Sequence, residues 1–183
     1  MRAVLVPVKS FSRAKLRLAG ALDASERRVL AQDLASRVLL AARPLPVYVA
    51  CDDREVAEWA EQRGAKVLWT PGLGLSGAVA SGVTSLRADG YDLAIVSHAD
   101  LPLVTSYEGV GTEGTVTLVP DRRLDGTNVA AVPTAAGFRF SYGAGSFTRH
   151  LAEARRTGHA PRVLYDWSLA TDLDLPADLA LVR

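Results

Sequence analysis

Only one cysteine, Cys51, occurs in the 183 residues. An internal disulfide and any multi-cysteine zinc or iron–sulfur centre are therefore excluded, and a reducing cytoplasm suits such a chain. Excess charge of one sign is also missing, because 21 Lys and Arg against 20 Asp and Glu leave a formal net charge of +1. That removes the global basic field of a non-specific nucleic-acid binder, and no basic helix with interleaved aromatics replaces it. No apolar run approaches the ~18 residues of a membrane helix, and the opening segment, charged at Lys9, lacks the apolar length of a signal peptide. The expectation is a soluble cytoplasmic protein with neither nucleic acid nor membrane as partner. Two phosphate-binding patterns are absent as well. There is no GxxxxGK[ST], and the glycine loop "GLGLSGA" from Gly72 to Ala78 lacks the GxGxxG spacing of a dinucleotide fold.

What is present alternates. "AVLVPV" from Ala3 to Val8 reads as a buried strand, and "DASERRVLAQDLASRVLLAAR" as a helix opened by an Asp23–Glu26 capping box. "VYVAC", "AKVLW" and "DLAIVS" are further apolar strands, separated by helical stretches at "REVAEWAEQRG" and "LSGAVASGVTSLRADG". Continuous apolar strands between helices argue for a mostly parallel sheet covered on both faces, an α/β doubly wound fold. Beyond Leu103 the rhythm changes. "TVTLVPD" and "NVAAVP" flank the turn "RRLDGT" and predict an antiparallel addition; "GSFTRHLAEARRTG" follows as a helix capped by Ser146, then a strand at "RVLYD" and a short helix with Pro176 first. At 49% hydrophobic residues the chain can bury one good core, so a single domain over residues 1–183 is expected.

Chemistry gathers at four places. Lys9, Arg13, Lys15 and Arg17 lie in the loop behind the first strand, at the carboxyl edge where open α/β sheets bind ligands. Four cations there suit a polyphosphate, and a merely solvated basic loop is the equal alternative on composition alone. "HADLPL" sets Asp100 just past a buried strand, well placed to hold a hard cation such as magnesium, or simply to start a turn before Pro102. "TDLDLP" offers Asp172 or Asp174 as a second carboxylate; alternation lets one of them face a site if the segment is extended. "DGTN" (125–128) and "YGAGS" (142–146) bring glycine amides and the Ser146 hydroxyl together, either as an anion pocket or as a hairpin turn and a helix cap. His98, His150 and His159 are too scattered for a metal triad, His150 reads as surface or packing, and Trp59, Trp69 and Trp167 read as core or rim packing.

Together, "PVKSFSRAKLRL", "HADLPL", "PDRRLDGTNVAAV", "FRFSYGAGSFTRHLAEA" and "DLDLPADL" resemble, in order and over nearly the whole chain, the guanylyltransferases of coenzyme F420 biosynthesis. The resemblance implies a nucleotide-diphospho-sugar transferase fold and transfer of GMP from GTP to the phosphate of a small acid. Phosphoenolpyruvate is the favoured acceptor, with 2-phospho-L-lactate or phosphoglycerate as alternatives, and pyrophosphate leaves. It implies catalytic roles for Lys9, Arg13, Lys15 and Asp100, and magnesium on Asp100 with Asp172 or Asp174. Pro7, Lys9, Arg13, Lys15, Gly74, Ser76 and Ala78 would then hold the nucleotide, and Thr127, Asn128, Gly143 and Ser146 the acid. Two departures stand out. "VTSYEGVGTEGT" is shorter than the family pattern and lacks its helix, and Ser76 stands where Asn is expected.

A cytidylyltransferase of the same fold is the nearest rival, but such enzymes begin with a G-x-G-x-R loop, and here no glycine precedes Gly20. A non-catalytic nucleotide-binding protein is the other, and retention of Asp100, Asp172 and Asp174 weighs against it. Monomer and homodimer both remain open.

Overall fold

The computed structural model describes residues 1–182. Seven strands make one sheet in the order β3-β2-β1-β4-β6-β5-β7. They are β1 (Arg2–Pro7), β2 (Val47–Cys51), β3 (Lys66–Trp69), β4 (Leu93–Ser97), β5 (Val116–Pro120), β6 (Thr127–Pro133) and β7 (Pro161–Val163). The first four pair in parallel, and β6 runs antiparallel to both of its neighbours, β4 and β5. The expected α/β architecture with an antiparallel addition is therefore present.

Alternation along β1 shows how the sheet is buried on both sides. Val4 and Val6 pack with α1 (Ala24–Ala41) and α2 (Arg54–Gln62), whereas Ala3 and Leu5 pack with α3 (Gly74–Ala88) and α4 (Ser146–Arg156). Each face thus gains a helical layer. Helix α3 lies so close to β1 that a Cβ on Gly82 would stand 2.6 Å from Leu5, so only glycine permits that approach. The capping box at α1 forms as expected, with the Glu26 amide donating to Asp23 and the Asp23 amide to Glu26. No helix among the described residues is long and apolar enough to cross a membrane.

Four expectations change. The basic loop winds into two 3-10 turns, Phe11–Arg13 and Leu16–Leu18, because Phe11 and Leu18 are buried and fold the chain back onto the core. The cap of α4 is Gly145, at φ 70°, and not Ser146, whose hydroxyl turns inward to another partner. The terminal strand is shorter, and a four-residue helix α5 (Trp167–Ala170) follows it. Only Trp59 is core. Trp69 ends the edge strand β3, Trp167 opens α5 beneath the Arg122 guanidinium, and both are exposed.

Candidate active site

The carboxyl ends of β1 and β4 open into a cavity of about 480 Å³ whose walls carry Lys9, Arg13, Lys15, Arg17, Asp100 and Asp174. Lys9 and Arg13 are exposed on its wall, but Lys15 is sunk to 8% side-chain exposure. Its backbone is left-handed, φ 55° and ψ 37°, a costly conformation for a non-glycine residue that persists where surrounding contacts enforce it. Those contacts are evident: the Lys15 ammonium donates to Asp100 Oδ2 at 2.6 Å and to the Leu173 carbonyl. The Leu173 amide in turn donates to the Asp100 carbonyl at 3.0 Å, so one lysine and one backbone bond tie the two carboxylate-bearing segments together.

Asp100 and Asp172 are electrostatically unlike. Burial pushes the Asp100 carboxyl up, but the Lys15 ammonium, helped by His98, outweighs it and holds the group below the usual carboxylate range. Asp100 is thereby kept ionised, with Oδ1 buried and without a hydrogen-bond partner. Asp172 is pushed up, first by burial and then by the charge of Asp100. Asp174 instead pairs with Arg17. No group of three or more His, Cys, Asp or Glu side chains fit to hold a metal occurs among the described residues.

A clasp behind these carboxylates escaped the sequence reading. Asp178 Oδ2 accepts from the amides of Asp174 and Leu175, while its Oδ1 accepts from Arg122 at 2.7 Å. Arg122 also donates to the Asp172 carbonyl, which fixes the turn from two sides. A separation of 56 residues hides this pair from local pattern; the aspartate four residues beyond Asp174 was its only local trace. A second missed residue is Asp52. It joins Pro7, Lys9, Gly74 and Ala78 around a smaller pocket at the ends of β1 and β2.

The glycine loop lies beside the larger cavity, which it reaches through the Tyr142 ring packed against the cavity residue His98; Thr127, Asn128, Gly143 and Ser146 do not line the cavity itself. Gly143 is exposed at φ 112°, where a side chain would be strained, and Ser146 donates its amide back to the Gly143 carbonyl. Asp125 secures the turn by accepting from the Gly145 amide at 3.0 Å and, through its carbonyl, from Phe147. Thr127, Asn128 and Ser146 are buried; the Thr127 amide donates to Ser146 Oγ, and Asn128 donates to the Leu169 carbonyl. Ser76 does not line either pocket. It accepts from the Tyr142 amide at 3.0 Å and so joins the start of α3 to the glycine loop, while the Tyr142 ring lies 5.4 Å from His98 beside Asp100.

His150 proves fully buried under Phe138, Phe140 and Tyr142. Burial, with Arg149 and His98 adding to it, pushes its imidazole down to about 4. A depressed histidine contributes stability that is complete above the unfolded value near 6.5 and is lost as pH falls toward 4. Chemical denaturation between pH 7.5 and 4.5 is expected to show a loss of about 3 kcal/mol that His150→Asn lacks; equal pH slopes in the two proteins would contradict the burial argument.

A cationic cavity at the carboxyl edge with Asp100 in its lining, Asp172 close enough behind to feel its charge, and a glycine loop joined to it through Tyr142 and His98 make the arrangement of a nucleotidyltransferase. The whole described chain, residues 1–182, matches the family model described as "Guanylyl transferase CofC like", and the protein belongs to that family. It is 40% identical to a phosphoenolpyruvate guanylyltransferase of Sphaerobacter thermophilus, an alignment covering 96% of this chain and 89% of that one. It is 25% identical to a 2-phospho-L-lactate guanylyltransferase of Methanocaldococcus infernus, covering 96% and 81%. Among solved structures, a putative nucleotide-diphospho-sugar transferase from Desulfovibrio desulfuricans G20 superposes with a TM-score of 0.79 at 18% identity, over 99% of this chain and 85% of that one. That likeness shows the fold.

Proposed function

We propose that this guanylyltransferase transfers GMP from GTP to the phosphate of phosphoenolpyruvate, releasing pyrophosphate, as a step of coenzyme F420 biosynthesis. An oxygen of the acid's phosphate attacks the α-phosphorus, that bond forms as the bond to the β-phosphate breaks, and pyrophosphate carries the electron pair away. A phosphate is already ionised near neutral pH, so no protein nucleophile or general base is required, and catalysis is alignment and charge stabilisation. The single observation that carries the reading is the Lys15–Asp100 pair in the lining of a cation-walled cavity at the carboxyl edge of the sheet. Higher identity to the phosphoenolpyruvate enzyme than to the phospholactate enzyme favours phosphoenolpyruvate.

Lys9 and Arg13 neutralise the triphosphate, and Lys15 offsets the charge that grows on the leaving oxygen. The partnerless Asp100 Oδ1 and the raised Asp172 beside it fit a divalent cation, since magnesium takes one or two carboxylates and completes its shell with phosphate oxygens and water. When bound, magnesium would supply neutralisation of phosphate charge. We assign the second carboxylate to Asp172 and give Asp174 the task of holding Arg17. Pro7, Gly74 and Ala78 shape the base pocket; Ser76 braces it against the glycine loop. The exposed Gly143, with Thr127, Asn128 and Ser146 packed behind it, receives the acid.

Guanine presents N1–H and an amino group on one edge, and Asp52 is the carboxylate at the small pocket able to accept both. Asp52→Ala is expected to raise the KM for GTP by roughly tenfold to a hundredfold with little change in the KM for the acid. A GTP KM within a factor of about two of the parent enzyme would remove Asp52 from base recognition. The reaction itself is tested by pyrophosphate release with magnesium and GTP, offering phosphoenolpyruvate, 2-phospho-L-lactate and phosphoglycerate in parallel, with CTP and ATP as controls. Release that needs both GTP and phosphoenolpyruvate is the expected result. Release with CTP in place of GTP would favour a cytidylyltransferase.

A further inference from the structure

The glycine loop is closed by a circuit of hydrogen bonds that passes through one histidine. The Ser141 backbone N–H donates to His150 Nε2 at 2.9 Å, and His150 Nδ1 lies 3.0 Å from Thr127 Oγ1. An amide can only donate, so Nε2 must be bare, and a neutral imidazole then carries its proton on Nδ1. The ring therefore donates to Thr127 Oγ1. The circuit continues, because the Thr127 amide donates to Ser146 Oγ at 3.1 Å. It starts at Ser141 and ends at Ser146, the two ends of the loop whose exposed middle is Gly143.

Two consequences follow from the direction of these bonds. Each hydroxyl, on Thr127 and on Ser146, has one lone pair filled by a neighbour, which fixes its oxygen in place behind the exposed Gly143. The loop is also fixed at both ends from a buried point, which limits the conformations its glycines could otherwise sample. Phe138, Phe140 and Tyr142 surround the imidazole at centroid distances of 5.6, 6.1 and 5.0 Å. Water is kept from the circuit. The charged and titratable groups around the ring are Arg149 and Glu153 on its own helix and His98 across the loop, and a protonated ring would set its Nε2–H against the Ser141 N–H.

We propose that His150 is a positioning residue for the acceptor acid: as the Nδ1–H tautomer it locks Thr127 and the Ser141–Ser146 loop into the form that receives the anion. This rests on the assignment of that loop to the acid. It differs from a packing role in what it predicts for partial replacements. Asn can present a donor at the position of Nδ1, Gln can present an acceptor at the position of Nε2, and Phe fills the space with neither.

The test combines steady-state kinetics of these variants with ¹⁵N NMR of the imidazole. His150→Phe is expected to raise the KM for phosphoenolpyruvate about tenfold or more while the KM for GTP stays within about twofold. His150→Asn, which keeps the donor to Thr127, should stay within about threefold of the parent acid KM, and His150→Gln should not. If Phe prevents folding, the Asn and Gln pair makes the same comparison. Parallel rises in both KM values with a fall in Tm, or an unchanged acid KM in Phe and Gln, would overturn the proposal. The NMR reading does not depend on turnover: a protonated Nδ1 and bare Nε2 between pH 5.5 and 8 is expected, and the opposite tautomer would overturn it. An unmodified enzyme that shows this tautomer yet releases no pyrophosphate with any acid would refute the assigned reaction and, with it, the loop's role as acid site.

Discussion

Asp100→Asn is expected to lower GTP-dependent pyrophosphate release about a thousandfold while the far-ultraviolet circular dichroism spectrum stays unchanged, since removing a single electrostatic stabiliser of a transition state costs about a hundredfold to a thousandfold. Asn keeps the shape and can still accept from Lys15, so the sheet edge has no reason to move. It loses the charge that would make Oδ1 a metal ligand and that adds to burial in pushing Asp172 up. Thermal stabilisation by magnesium should vanish with the activity. Near-normal turnover in this variant would remove Asp100 from the metal.

The second large effect concerns Lys15, where stability and activity fall together. Lys15→Met preserves the aliphatic stem but strips the ammonium from Asp100 and from the Leu173 carbonyl. Asp100, 28% exposed, then loses its counter-ion while the Asp172 carboxyl stays near, and leaving a partly buried charged group unpaired costs about 1–3 kcal/mol. Asp100 is expected to lose its depressed protonation behaviour because the Lys15 charge is what overcomes burial there. Urea denaturation should show the loss, with magnesium restoring part of it, and turnover should drop at least about a hundredfold. Unchanged stability without magnesium would show that the ion pair is incidental.

Much of this geometry was legible in the chain. The apolar run before Lys9, the Asp23–Glu26 box and the change of rhythm after Leu103 gave the sheet and its antiparallel strand, since those signals are local and periodic. The cluster around the cavity was legible too, because strand ends dictate where ligands gather in such sheets. What stayed hidden is pairing across the fold. Asp172 and Asp174 have the same local sequence signal, and only their tertiary surroundings, the charge of Asp100 acting on one and the Arg17 guanidinium paired with the other, tell them apart. Arg122 with Asp178 and His150 with Thr127 are likewise tertiary matches. Ser146 looked like a helix cap because the residue type fits; the left-handed Gly145 took that position and freed the hydroxyl for Thr127. Trp69 and Trp167 showed the limit of hydrophobicity as a guide, for one ends an edge strand and the other stacks under a guanidinium at the surface.

The most direct test of the central claim is to follow oxygen from the acceptor. Phosphoenolpyruvate carrying ¹⁸O on its phosphate would be incubated with GTP, magnesium and the enzyme, and the products weighed by mass spectrometry. A guanylylated acid that retains every labelled oxygen, together with unlabelled pyrophosphate, is the predicted result. Label in the pyrophosphate, or GDP in place of the joined product, would contradict attack by the acid's phosphate on the α-phosphorus.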